Sequence, residues 1–199
     1  MMMSNDLNKK FLITTSEQVD TISNGVRQEI LDTLRAFGKC SIAEIASHLG
    51  RPADALYYHI KKLLTAEIIK VDSVNKVNRR LETVYTLSQT SISDIMTRYD
   101  LSDPEIVASL KKMTSAMMKL TLKDFSEALV LKDSVTIGEN RNLWASRNKC
   151  WLTDGDILEV NQLLHRLTEL TTKPKREGAD RLCTLTWVLA PVNARKQKR

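Results

Sequence analysis

Apolar positions in the first third of the chain recur every three or four residues. Val26, Ile30, Leu31, Leu34 and Phe37 fall on one helical face, and Gly38 can end that helix. Its start is expected at Ser23 or Asn24. Upstream, Thr15 and Gln18 are spaced as a capping box and predict a short helix from about Ser16 to Ile22. "FLIT", residues 11–14, reads as a short strand. Ser41 with Glu44 is a second capping box, followed by the stripe Ile42, Ile45, Ala46 and Leu49 and the stop Gly50. Pro52 suits the first position of a further helix running to about Ala66. On a wheel of about 100° per residue, Leu56, Ile60, Leu63 and Leu64 gather on one side of it. Asp54, Tyr58, Lys61, Lys62 and Thr65 lie opposite, with Tyr57 and His59 on the flanks.

The period then shortens to two. "IIKVDSV" and "LETVYTL" predict two strands, joined by "NKVNRR" as a turn with a basic tip. Ser102, Pro104 and Glu105 predict the start of a long helix reaching about Leu131. Ile106, Leu110, Met113, Met117 and Leu120 step along it by four and three, the spacing of a helix packed lengthwise on another. The stripe then moves to Met118, Leu122, Phe125 and Leu129. "RNKCWLT" reads as a short strand. Thr153 with Asp156 opens a helix with the stripe Ile157, Val160, Leu164, Leu167 and Leu170. "RLCTLTWVLAP" has the composition of a strand ended by Pro191.

The pattern predicts a mainly α chain with small β elements. Residues 1–22 form an arm and short helix, 23–90 a winged helix-turn-helix, and 102–132 a long dimerisation helix. Residues 145–191 are expected to form a small C-terminal α/β unit, and 192–199 a basic, disordered tail.

Composition narrows the class. A chain of 199 residues with 42% hydrophobic and 27% charged residues can bury a core and belongs with globular proteins. The net charge of +6 permits a polyanionic partner without requiring one. No apolar run is long enough to span a bilayer, and "MMMSNDLNKK" lacks the apolar centre of a secretory signal. Cys40, Cys150 and Cys183 have no metal-ligand rhythm and fit a reducing cytoplasm. No cofactor or metal is expected. No nucleophile–base arrangement, His pair, phosphate loop or dinucleotide fingerprint stands out, so the chain is not expected to be an enzyme.

A capped short helix, a turn at Gly50-Arg51 and the helix bearing "DALYYHIKKLLTAEII" make a helix-turn-helix, whose second helix is shaped for the major groove. The order "VRQEILDTL", "SIAEIASHLG", "ALYYHIKKLLTAEII" and "VYTLS" resembles the winged helix-turn-helix of ArsR-type transcriptional regulators over about Ile22 to Ser88. The resemblance implies a homodimer on a semi-palindromic site in double-stranded DNA, acting as a repressor. Groove-facing positions would be Arg51, Asp54, Tyr57, Tyr58, Lys61 and Lys62, with backbone contacts from Lys76, Arg79 and Arg80 on the wing. The sequence departs from the family at Arg51, where a capping serine or threonine is usual, and at Glu67, where glycine is usual. The cysteine pairs and the carboxylate–histidine sets of metal-sensing members are missing, so metal sensing does not carry over.

Each candidate has a plainer reading. Asp54 fits helix capping better than a base contact, and His59 fits a structural or phosphate-contacting role better than metal ligation. Ile106, Leu110, Met113, Met117 and Leu120 are read as the dimer interface, with intrachain core as the alternative. Trp144, Trp151 and Trp187 offer walls for an effector pocket, or a small core for the C-terminal part. No particular small-molecule effector is implied. Two functions from different classes remain: a dimeric, sequence-specific DNA-binding regulator, and a winged-helix adaptor that binds protein without reading DNA.

Overall fold

The computed structural model describes residues 15–77, 80–88, 100–172 and 175–192, with the side chains of Val77 and Arg80 left aside. The strand expected at 11–14, the tail after 192 and the wing-tip residue Arg79 lie outside the described residues.

Capping chemistry sets the helix boundaries. Helix α1 (Ser16–Ile22) is capped by Thr15, which accepts from the Gln18 amide. Helix α2 (Gly25–Phe37) is capped by Asn24 and ends at Gly38, whose φ of 81° only glycine adopts freely. Strand β1 (Cys40–Ser41) leads into α3 (Ile42–Leu49), where the capping box is complete in both directions. Ser41 accepts from the Glu44 amide at 3.3 Å, and the Glu44 carboxylate accepts from the Ser41 amide at 2.7 Å. Gly50 closes α3 in the left-handed region.

The next segment differs from expectation. It begins as a 3-10 turn, Ala53–Leu56, and becomes α-helical only at α4 (Tyr57–Thr65). Pro52 is extended, with φ −62° and ψ 137°, and precedes the turn rather than sitting inside it. Neither the turn nor α4 has a side-chain cap, so the capping role expected of Asp54 is not taken up.

Strands β2 (Ile69–Val77) and β3 (Arg80–Leu87) form an antiparallel hairpin, longer at its tip than the sequence pattern implied. Val77 is registered with Arg80, which puts Lys76 within a strand instead of a turn. β1 adds a third, two-residue strand on the far side of β3, in the order β1-β3-β2. A two-residue strand has too little pattern to be seen in sequence. A bulge between Val71 and Ser73 leaves Asp72 without a partner in the ladder, and its carboxylate pairs with Lys39 at 2.9 Å.

The core is the helix-turn-helix itself. Val19, Ile22, Ile30, Leu31, Leu34, Ile45, Leu56, Ile60, Leu63, Ile69 and Tyr85 belong to one buried cluster. Helix α5 (Pro104–Ala128) is capped by Asp103, not by Ser102, which instead donates to Asp100. It packs on α1 and α2. Ile106 is buried, and Leu110 and Met113 pack against the cluster of the same chain. Met117 and Leu120 are half-buried. The leading part of the stripe expected to join subunits is therefore occupied within the chain. The face of α5 left open carries Met118, Leu122 and Leu129.

Helix α6 (Asp154–Thr171) has the expected capping box at Thr153 and Asp156 but buries none of its residues. The strands expected on either side of it are not there: among the described residues, 143–152 and 181–190 have no regular secondary structure. Among the described residues of 145–191, where an α/β unit was expected, α6 is the one regular element. A strand needs a neighbour for its backbone groups. Here the segment is fastened by side chains instead: Thr186 to Thr121 at 2.8 Å and Thr184 to Asp124 at 2.9 Å, both on α5. No helix among the described residues is long and apolar enough to cross a membrane.

Candidate nucleic-acid interface

Leu56, Ile60 and Leu63 are buried to 2% exposure or less, and they anchor the inner face of the turn and α4. The opposite face is open. Tyr57 and Tyr58 are each 61% exposed, and Lys61, Lys62 and Asp54 are exposed beside them. Tyr57, on the flank of the wheel, is as accessible as Tyr58. A large aromatic surface left in water next to two ammonium groups gains nothing for folding. It does offer stacking area, phenolic hydroxyls and positive charge on one helical face.

Two features brace the end of this helix. The Gln18 side-chain amide on α1 donates to the Ala66 carbonyl at 3.2 Å, just past the end of α4. Glu67 then turns the chain into the wing with φ 57°, the left-handed conformation a glycine would take without strain. Glu67 thus holds a conformation that suits glycine while carrying a full side chain.

Arg51 does not join the exposed group freely. Its guanidinium donates to Glu29 on α2 at 2.7 Å. Lys123 on α5 reaches the other oxygen of the same carboxylate at 3.1 Å. Lys76 is exposed on β2, and Arg80 begins β3.

His59 has its Nδ1 shielded from solvent without a hydrogen-bond partner. Its ring meets Tyr58 edge-on at 5.5 Å. Burial holds the imidazole below its ordinary value, and the positive charges of Arg27 and Arg51 add to the effect. Arg27 is a residue the helical pattern did not single out, because it belongs to α2. Its guanidinium donates to the carbonyls of Thr21 and Asp20 and lies close enough to Tyr58 to interact electrostatically. Only the packing of α2 across α4 brings it there.

The tryptophans do not enclose a pocket. Trp151 is 91% exposed, Trp144 lies under the Arg141 guanidinium at 3.1 Å, and Trp187 is half-buried. An open, mainly apolar groove of about 430 Å³ lies along α5, lined by Leu101, Val107, Leu110 and Met118 among others, with no tryptophan. Among the described residues no cluster of three His, Cys, Asp or Glu side chains is placed to hold a metal ion.

Two helices at a capped turn, an exposed face on the second and a hairpin behind it define a winged helix-turn-helix. A family model described as a helix-turn-helix domain matches residues 22–72, from the end of α1 into the first residues of β2. The chain thus carries a helix-turn-helix domain of the kind found in DNA-binding regulators. No curated protein sequence matches the chain.

Proposed function

We propose that the protein is a dimeric, sequence-specific DNA-binding transcriptional regulator, a repressor of the ArsR type, and not an enzyme. The observation that carries this reading is the face of α4, where Tyr57, Tyr58, Lys61 and Lys62 stand in solvent while the other side is locked into the core. Placed in a major groove, that face puts lysines near phosphate and tyrosine hydroxyls within reach of base edges. Lys76 on the wing supplies charge to the flanking backbone. Homodimerisation is supported by the apolar side chains that α5 and α6 leave uncovered, Met118, Leu122, Leu158 and Leu163 among them. With two copies on one face of the duplex, the α4 helices stand about 34 Å apart. The cytoplasm is the proposed compartment. A small-molecule effector is part of the proposal, with no identity assigned to it.

The test is titration of a duplex from the protein's own upstream region against a scrambled duplex, at several salt concentrations. Tighter binding to the upstream sequence is expected. Joint replacement of Lys61 and Lys62 by alanine lowers affinity on both duplexes and flattens the salt slope by about 1 for each phosphate no longer neutralised. Equal, negligible binding to both duplexes would favour the adaptor reading, in which the same face docks a protein.

A further inference from the structure

Glu29 stands where three parts of the molecule meet. It projects from α2, its side chain is 12% exposed, and each carboxylate oxygen is taken by a different cation. Oε2 accepts from Arg51, the residue that opens the turn into the exposed helix, at 2.7 Å. Oε1 accepts from Lys123 of α5 at 3.1 Å. One negative charge thus serves two positive ones from different elements. A guanidinium held this closely by a carboxylate has part of its donor fork committed, and its charge is partly cancelled towards an approaching phosphate.

The Lys123 side of the arrangement is held in turn by the C-terminal half. Asp124, its neighbour on α5, accepts from Thr184, and Thr121 bonds Thr186. The stretch of α5 that presents Lys123 to Glu29 is therefore tied by two hydrogen bonds to the segment after α6. Lys123 is held charged above its ordinary range chiefly by its hydrogen bond to Glu29, while Arg51 opposes it. The two cations compete for a single partner.

We propose that Glu29 is a shared counter-ion that regulates DNA binding: it withholds Arg51 from phosphate, and Lys123 on α5 relieves that hold by taking part of the same carboxylate. The inference rests on the DNA-binding reading above and specifies how that surface is controlled. With Lys123 in place, Arg51 exchanges Glu29 for a phosphate at small cost. When α5 carries Lys123 away, the whole Glu29 charge falls on Arg51 and the exchange becomes harder. The C-terminal half thereby acts on the DNA surface without touching DNA.

Salt-dependent titration of the full chain onto its upstream duplex tests this. Glu29→Gln keeps the side chain's shape and removes its charge. It should tighten binding by about threefold to tenfold and steepen the salt slope by about 1, as Arg51 neutralises one more phosphate. Arg51→Ala in the Glu29→Gln background should erase that gain. Lys123→Gln should weaken binding in the natural chain, and the weakening should shrink in the Glu29→Gln background, because the counter-ion it competes for is gone. Lys123 is half-exposed on the surface, so if Glu29→Gln fails to fold, Lys123→Gln is compared in the natural chain and in an Arg51→Ala chain: a loss of its effect without Arg51 supports the role, and an undiminished effect overturns it. If the natural chain binds the duplex and Glu29→Gln leaves affinity and slope unchanged, the counter-ion role is wrong while DNA binding stands. Equal effects of Lys123→Gln with and without Glu29 would also overturn it, showing only a general loss of charge. A natural chain that binds no duplex overturns both readings together.

Discussion

Glu67 carries a conformation written for glycine. With φ at 57° it incurs roughly 1 kcal/mol of backbone strain; glycine's greater freedom in the unfolded chain offsets half or more of that, so Glu67→Gly is expected to raise stability by at most about 0.5 kcal/mol in a denaturant melt. Ser41 is the opposite case. Its hydroxyl and the Glu44 carboxylate satisfy amides at the buried start of α3, and Ser41→Ala should cost about 1 kcal/mol. His59 gives a pH signature. Its pKa is held below the ordinary value, so the folded protein favours the neutral ring and the unfolded chain takes the proton first. Its contribution is constant above about pH 6.5 and is lost as the pH falls below that towards the folded value. The stability of the natural chain relative to His59→Gln, followed by urea melts from pH 8 to 5, should be constant at the upper end and fall below about pH 6.5.

The helices with capping boxes and apolar stripes were readable because their signals are local. Thr15, Asn24, Ser41 and Thr153 all cap where the pattern placed a helix start. The exposed face of α4 was readable for the same reason: Leu56, Ile60 and Leu63 on one side leave Tyr58, Lys61 and Lys62 on the other. What escaped depends on distant parts of the chain. The two-residue β1 exists only because β3 lies beside it. The ion pair of Arg51 with Glu29 was not legible either, because only the packing of α2 brings the two together. The strand expected at 181–191 had the right composition but no neighbour to pair with, and its threonines turned to α5 instead. The stripe from Ile106 to Met113 had coiled-coil spacing, yet spacing alone does not say which helix covers it, and here α1 and α2 do. On the wing, Lys76→Ala is expected to weaken binding to any duplex by a similar factor and to leave the ratio of specific to non-specific affinity unchanged.

The head of the molecule, α1 to α4 with the three strands, differs from α5 and the C-terminal half in how it is held. The buried cluster is drawn from residues between Val19 and Tyr85, while α6 buries nothing. A chain shortened to end before α6 should therefore melt within about 3 °C of the full one if the protein is studied dilute enough to be monomeric, since little buried area is lost. At higher concentration the full chain should gain more stability through self-association than the shortened one, which keeps the apolar face of α5 but lacks that of α6. Sedimentation of both forms across that range checks this. Helix α5, by contrast, is pinned to the head in its middle: the Gln28 side-chain amide donates both to the Ile22 carbonyl, at the end of α1, and to the Met113 carbonyl, at 2.9 and 3.2 Å. One amide clasps three helices at a single level, so α5 has a fulcrum there. Events at its distal end should reach the exposed face of α4 as a lever swings about a pivot.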